Sequence, residues 1–143
     1  MPLRRRMQPI ERSALAARTV MTRRVTTRLA ASRRAYAATR EIVDRRSGGS
    51  CEICGHEMAT EHQHRIRRGA GGSSRNDEIH RPSSLLHLCS RCHVAADNAP
   101  DRYENGWSIR RGADVDPATV PVFYRRTWVL LDDEGGRTPC VVG

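Results

Sequence analysis

From Arg12 to Arg46 the chain alternates apolar or small positions with charged ones at helical spacing, and no Gly or Pro interrupts it. Met21, Val25, Leu29, Ser32, Tyr36, Thr39 and Val43 follow one another at steps of four and three, which places them on one narrow stripe of a helix roughly 50 Å long. Arg23, Arg24, Arg28, Arg33, Arg34 and Arg40 fall off that stripe. Two of the seven stripe members are polar, so the helix needs a partner surface to stay formed. Ser47-Gly48-Gly49-Ser50 ends it and serves as a hinge into the next segment.

Beyond the hinge the period changes. Residues 51–65 read as a tight turn followed by a strand, and Arg67 to Ser74, with three glycines in four positions, reads as a loop that continues through Arg75 to Ser84. Leu85-Leu86-His87-Leu88 is a short apolar strand, and residues 91–98 suit a helix with Pro100 just past its end. After Asn105-Gly106 a period of two takes over. Trp107-Ser108-Ile109, Val120 to Tyr124 and Thr127 to Leu131 read as strands, with Asp133-Glu134-Gly135-Gly136 as a turn. This tail holds both Trp and the single Phe, so it reads as a packing element closed over the preceding segment. The pattern predicts an α+β chain in three parts: a helical arm over 1–47, a core over 48–106 and a short hairpin-like β tail over 107–143.

Charge separates the arm from the rest. All 25 basic residues are arginine; residues 1–46 carry 13 of them against Glu11, Glu41 and Asp44, a balance of +10, while residues 47–143 carry 12 against 13 acids, a balance of −1. A one-sided positive block of this kind points to a nucleic-acid partner, with a solvated helix face in an arginine-using chain as the plainer alternative. The Arg-rich, acid-poor first 40 residues also fit an organellar transit peptide, but the helical periodicity runs on to the first cysteine. No apolar run is long enough to span a membrane, and the expectation is a cytoplasmic protein.

Four of the five cysteines form two knuckle-like pairs, Cys51-x-x-Cys54 and Cys89-x-x-Cys92. Each knuckle sets two thiolates about 2.3 Å from one metal, so the pairs predict a tetrahedral structural Zn²⁺ site. Two disulfides or four unpaired buried thiols are the alternatives; no apolar secretory segment precedes the pairs, which argues against bridges. With one Phe, two Trp and three Tyr the core is small, and a zinc staple supplies folding free energy such a chain needs. Cys140 has no pair and reads as an inert thiol.

The 34 residues between the knuckles exceed what simple two-knuckle modules hold, and they are rich in His, Arg and Gly. Pinning the ends together would bring His64 towards His93, with Asp97 one helical turn beyond His93 on the same face. A His and an Asp at that spacing can share a divalent cation, and a histidine left off the metal can take a proton from water. Arg65, Arg67 and Arg68 would supply phosphate-binding forks around it. The constellation suits metal-assisted hydrolysis of a phosphodiester.

The motif order Cys51-x-x-Cys54, His64-Arg65, Arg68-Gly69-x-Gly71-Gly72, Pro82-Ser83-Ser84-Leu85-Leu86 and Cys89-x-x-Cys92-His93 resembles the HNH endonucleases of the ββα-metal class, above all the small four-cysteine zinc versions of actinobacteria and their phages. The tail from Gly106-Trp107 resembles tails of such phage proteins less specifically. The resemblance implies a ββα-metal core stapled by the four-cysteine zinc site. His64 would be the general base, Arg65 a phosphate-holding residue, and His93 with Asp97 the ligands of a catalytic Mg²⁺ or other divalent cation. The product would carry a 5′-phosphate. Gln63 stands where the family places an Asp or His ligand, and an amide is a weaker, neutral one. Ser84 stands where an Asn usually braces the loop behind the base. His62, on the strand face of His64, is a possible substitute ligand for Gln63, while His56, His80 and His87 have no motif position.

Three functions follow as expectations. The first is a metal-dependent endonuclease acting on double-stranded DNA, gripped by Arg67, Arg68 and the arm residues Arg23, Arg24, Arg28, Arg33 and Arg34. The second is a zinc-stapled DNA-binding module that is catalytically weak or inactive. The third is an accessory of a phage packaging machine, active only with its terminase partner.

Overall fold

The computed structural model of the chain describes residues 12–67 and 77–143, leaving out the side chains of 12–26, 77 and 78. Among the described residues it is a mixed α+β chain with two helices and two small antiparallel sheets: α1 (Arg12–Ser47), β1 (Glu61–His64), β2 (Leu85–Leu88), α2 (Ser90–Asn98), β3 (Val122–Tyr124), β4 (Thr127–Leu131) and β5 (Arg137–Pro139). The side chains of Met21, Val25, Arg23 and Arg24, together with Arg68 and the glycine loop that follows it, lie outside what is described. None of the described helices is long and apolar enough to cross a membrane.

Strands β1 and β2 pair antiparallel in a register that sets Glu61 opposite Leu88, His62 opposite His87, Gln63 opposite Leu86 and His64 opposite Leu85. All four residues of β2 are buried. A strand covered on both sides reads as a continuous apolar run, which is why Leu85-Leu86-His87-Leu88 is recognisable. Successive side chains of β1 point to opposite faces. Glu61 and Gln63 turn towards α2, where they meet His93, Ser90 and Asp97; His62 and His64 turn towards α1, where they meet Asp44 and Tyr36.

Among the described residues, the stripe of α1 packs at its C-terminal end: Val43 and Thr39 are buried and Tyr36 is half-buried, whereas Leu29 is 50% exposed. The last turns of α1 are bolted to the core by a buried two-pronged ion pair, Arg46 Nε to Glu52 Oε1 at 2.7 Å and Arg46 Nη2 to Glu52 Oε2 at 2.8 Å. The same guanidinium donates to the carbonyls of Pro82 and Leu85, and Glu52 Oε2 accepts from the amide of His87. The glycine turn after α1 is likewise tied down: Gly48 and Gly49 take φ of 61° and 79°, Ala59 N donates to the Gly49 carbonyl, and Arg125 Nη2 donates to the carbonyls of Ser47 and Ser50.

The tail departs from a simple hairpin. It is a three-stranded sheet in the order β3-β4-β5, because the Asp133–Gly136 turn leads into a further short strand. Val120 and Pro121 stay outside β3, preceded by a single 3-10 turn at Pro117–Thr119 that Asp116 caps by accepting from the Ala118 amide. Trp107 to Ile109 bends instead of forming a strand, and Ile109 makes only an isolated bridge with Ile66. The sheet does pack on the preceding segment: Val122, Tyr124, Val129 and Leu131 share one buried cluster with Leu86, Leu88, Ala96, Cys51, Cys89 and Cys92. Burying each large aliphatic side chain there contributes about 1.5–3 kcal/mol.

Candidate functional site

The two knuckles meet. One sulfur from each of Cys51, Cys54, Cys89 and Cys92 lies within 4.8 Å of the others, a cluster that could bind a metal such as zinc. Local backbone builds it: Gly55 N donates to the Cys51 carbonyl at 2.9 Å, closing the first knuckle, and Cys89 precedes the first turn of α2, whose His93 amide donates to the Cys89 carbonyl. The electrostatics suit a cation. Burial pushes the Cys54 thiol up, but the amides of Glu57 and His56 and the neighbouring cysteines outweigh this and bring it down to about 7. Cys92 and Cys89 are held above the usual thiol range, by burial first. Four packed thiols cannot all ionise alone, whereas a bound dication deprotonates them outright. Cys140 stands apart, its amide paired with the Trp128 carbonyl.

Beside the cluster, an open groove of about 390 Å³ is lined by His62, Gln63, His64, Arg67, His93, Asp97 and Asn98. It thus gathers His64, His93, Asp97, Gln63 and Arg67 from two strand faces and one helix. Every one of them has a partner. Gln63 Nε2 donates to Asp97 Oδ1 at 3.0 Å, Arg67 Nη2 donates to the Asp97 carbonyl at 2.6 Å and lies 3.5 Å from its carboxylate, and His93 Nδ1 lies 3.2 Å from Glu61 Oε2. His64 and His93 border the same groove but face different neighbours: the His64 ring stacks on Tyr36 with centroids 5.4 Å apart, and its Nε2 lies 3.4 Å from His80 Nδ1. No protein-family model, curated protein or solved structure matches the chain.

Arg65 is a correction to the sequence reading. It is fully buried, and its guanidinium is spent on four carbonyls, those of Gly106, Ser83, Pro117 and Val120, at 2.8 to 3.0 Å. Burial first, and Arg46 second, bring it down to about 9, so it stays cationic at neutral pH. It clamps the tail to the β1–β2 unit and is turned away from any phosphate in the groove. His62 is also redirected: although it borders the groove, its Nε2 sits 2.6 Å from Asp44 Oδ1, and it does not reach the Gln63 position. Ser84 is buried, and its carbonyl accepts from the Arg65 amide at 2.8 Å. Of the arm arginines, Arg28, Arg33 and Arg34 are exposed.

Three residues that the sequence reading left aside belong here. Glu61 shares the face of Gln63 by strand period and pairs with His93, so period two alone points to it. His80, on a 3-10 turn at Asp77–His80, joins the Tyr36 and His64 rings. His87 lies against His62, and burial first, then His62, lowers its pKa.

Proposed function

We propose that the chain is a metal-dependent DNA endonuclease with the ββα-metal core of the HNH class, its fold stapled by zinc in the four-cysteine cluster. The observation that carries this reading is the groove lined in common by an imidazole from the end of β1, an imidazole and a carboxylate of α2 and an amide of β1, together with Arg67. His64 takes the proton of the attacking water, and His80 and Tyr36 hold its ring in orientation. Asp97, with Glu61 beside it, provides the carboxylate oxygens that Mg²⁺ or Mn²⁺ takes, and His93 adds one imidazole nitrogen, a donor better suited to a softer divalent ion. Such a cation, when bound, neutralises charge on the phosphate and the leaving oxygen. Arg67 binds the phosphate after exchanging its contact with Asp97, and the exposed Arg28, Arg33 and Arg34 grip the duplex along α1.

Plasmid DNA incubated with the purified protein and Mg²⁺ or Mn²⁺ is nicked or cut, and His64→Ala abolishes this while zinc content is unchanged. Undiminished cleavage by that variant removes the assignment of His64.

One observation favours a second reading, a DNA-binding module without cleavage. The Asp97 carboxylate already accepts from the Gln63 amide and faces the Arg67 guanidinium, donors that compete with a cation. Steeply salt-dependent DNA binding with no cleavage in any divalent metal, together with cleavage gained in Gln63→Asp, is the outcome this reading expects.

A further inference from the structure

A second set of metal-ligating side chains converges on the opposite face of β1. Asp44 in the last turns of α1, His62 on β1 and His87 on β2 bring one carboxylate oxygen and two ring nitrogens within 4.8 Å of one another. The backbone dictates this. His62 and His87 are direct partners in the antiparallel register, and side chains directly opposite share a face with Cβ atoms about 4.5–5.5 Å apart. Their rings lie parallel, with centroids 4.5 Å apart and an angle of 7° between planes. Asp44 Oδ1 lies 2.6 Å from His62 Nε2 and 3.4 Å from His87 Nδ1, and Ser47 Oγ lies 2.8 Å from that same Nδ1. The buried Arg46–Glu52 pair fixes the rotation of the last turn of α1, so Asp44 is held over the two histidines before any ion arrives.

We propose that Asp44, His62 and His87 form a second divalent transition-metal site that clips the end of α1 to the β1–β2 pair. Two imidazoles and a carboxylate are the set of three protein ligands that Zn²⁺ takes in sites with a fourth position left to water. Nitrogen donors select zinc, nickel, cobalt or copper over magnesium and calcium. Ligands about 2.0–2.1 Å from a tetrahedral ion stand about 3.3 Å from one another. The separations of 2.6 and 3.4 Å bracket that value, and a small tilt of the stacked rings converges their nitrogens. The Asp44 side chain is 47% exposed while the two imidazoles are 8% and 11% exposed, so the ion enters, and keeps its water, on the carboxylate side. This inference stands whether or not the groove cleaves DNA.

The test loads the full chain with one equivalent of zinc in the thiolate cluster and titrates it with further Zn²⁺ or with Ni²⁺, reading binding by calorimetry and metal analysis. In the His93→Ala background, which takes the imidazole out of the groove, a second equivalent still binds, and adding Asp44→Asn, His62→Gln or His87→Gln weakens it by more than the roughly 10–100-fold that loss of a supporting group costs. Far-UV circular dichroism and the retained thiolate zinc verify each fold, and Asp44→Asn, at the exposed corner, carries the test if a histidine variant fails to fold. Absence of a second equivalent in the wild type overturns the proposal and leaves a hydrogen-bonded clip. A second equivalent that survives Asp44→Asn and His62→Gln in the His93→Ala background, or that disappears in His93→Ala alone, overturns it as well and assigns the ion elsewhere.

Discussion

The four-cysteine cluster and the groove are built from the two ends of one interval, yet they hold their polar groups in opposite ways. In the cluster three of the four cysteines are buried, and burial with crowding drives Cys89 and Cys92 away from ionisation. A bound dication would reverse this by taking the thiolates as ligands. In the groove every group has a protein partner already: Gln63 with Asp97, His93 with Glu61, Arg67 with Asp97 and His64 with His80. The lesson is one of exchange. The cluster is made of thiols packed against one another, whereas the groove is made of groups whose present partners a ligand could replace.

That contrast predicts a graded series of stability effects. The largest belongs to the cluster: structural zinc in small domains is worth about 10–16 kcal/mol of apparent binding free energy at pH 7, comparable to or above the roughly 5–15 kcal/mol net stability of a domain. With zinc in the cluster, Cys92→Ser or a strong chelator therefore unfolds the core, seen as a shift in Trp107 and Trp128 fluorescence and loss of circular dichroism. Next comes Arg46→Ala, which leaves the Glu52 carboxyl buried without its partner and costs about 3–5 kcal/mol in denaturant unfolding, only part of it recovered by adding Glu52→Gln, because the carbonyls of Pro82 and Leu85 still lack their donor. Gly106→Ala follows, at about 1–3 kcal/mol. Gly106 has φ of +66°, and an added Cβ would lie 1.8 Å from the Pro121 carbonyl oxygen, so the Gly106 backbone, whose carbonyl holds Arg65, must move. Smaller again is an acid effect. Burial raises the Asp133 carboxyl, but hydrogen bonds from Arg81 and Ser83 outweigh it and hold its pKa below the usual value. Its contribution is present above the unfolded value near 3.8 and is lost as pH falls through the lower folded value; Asp133→Asn removes that step from the stability profile. Smallest are the rim changes His93→Ala and Arg67→Ala, within about 0.5 kcal/mol in unfolding, while under the proposed function they abolish or weaken DNA cleavage. Rim variants that unfold the chain as Cys92→Ser does would break the contrast.

What was legible in the chain was what local periodicity encodes. The unbroken spacing from Arg12 onward marks α1, the leucine run marks β2, and Cys89 with Pro100 frames α2. The knuckle spacing alone names all four cysteines. The buried arginines were not legible. Arg65 and Arg46 look like phosphate ligands or solvent residues in a chain so rich in arginine, and their carbonyl partners come from segments 18 to 55 residues away. No short pattern announces such acceptors. The pairing of His62 with His87 needs the register of two strands, which sequence spacing across a long loop does not supply. A boundary after residue 47 looks natural because Gly48 and Gly49 follow, but the ion pair across that turn makes the last turns of α1 part of the core. An arm deletion meant to test DNA binding therefore has to stop well short of Val43.

Arg125 carries a consequence for the order of assembly. It sits at φ of 45° in the two-residue turn between β3 and β4, and its side chain donates to the carbonyls of Ser47, Ser50 and Cys51. During synthesis all four cluster thiols have emerged 33 residues before Arg125 does. A nascent chain can thus capture its metal early while the carbonyls around the first knuckle still face water, and the tail then arrives as a latch. If the cluster takes a metal, loading need not wait for closure by the tail.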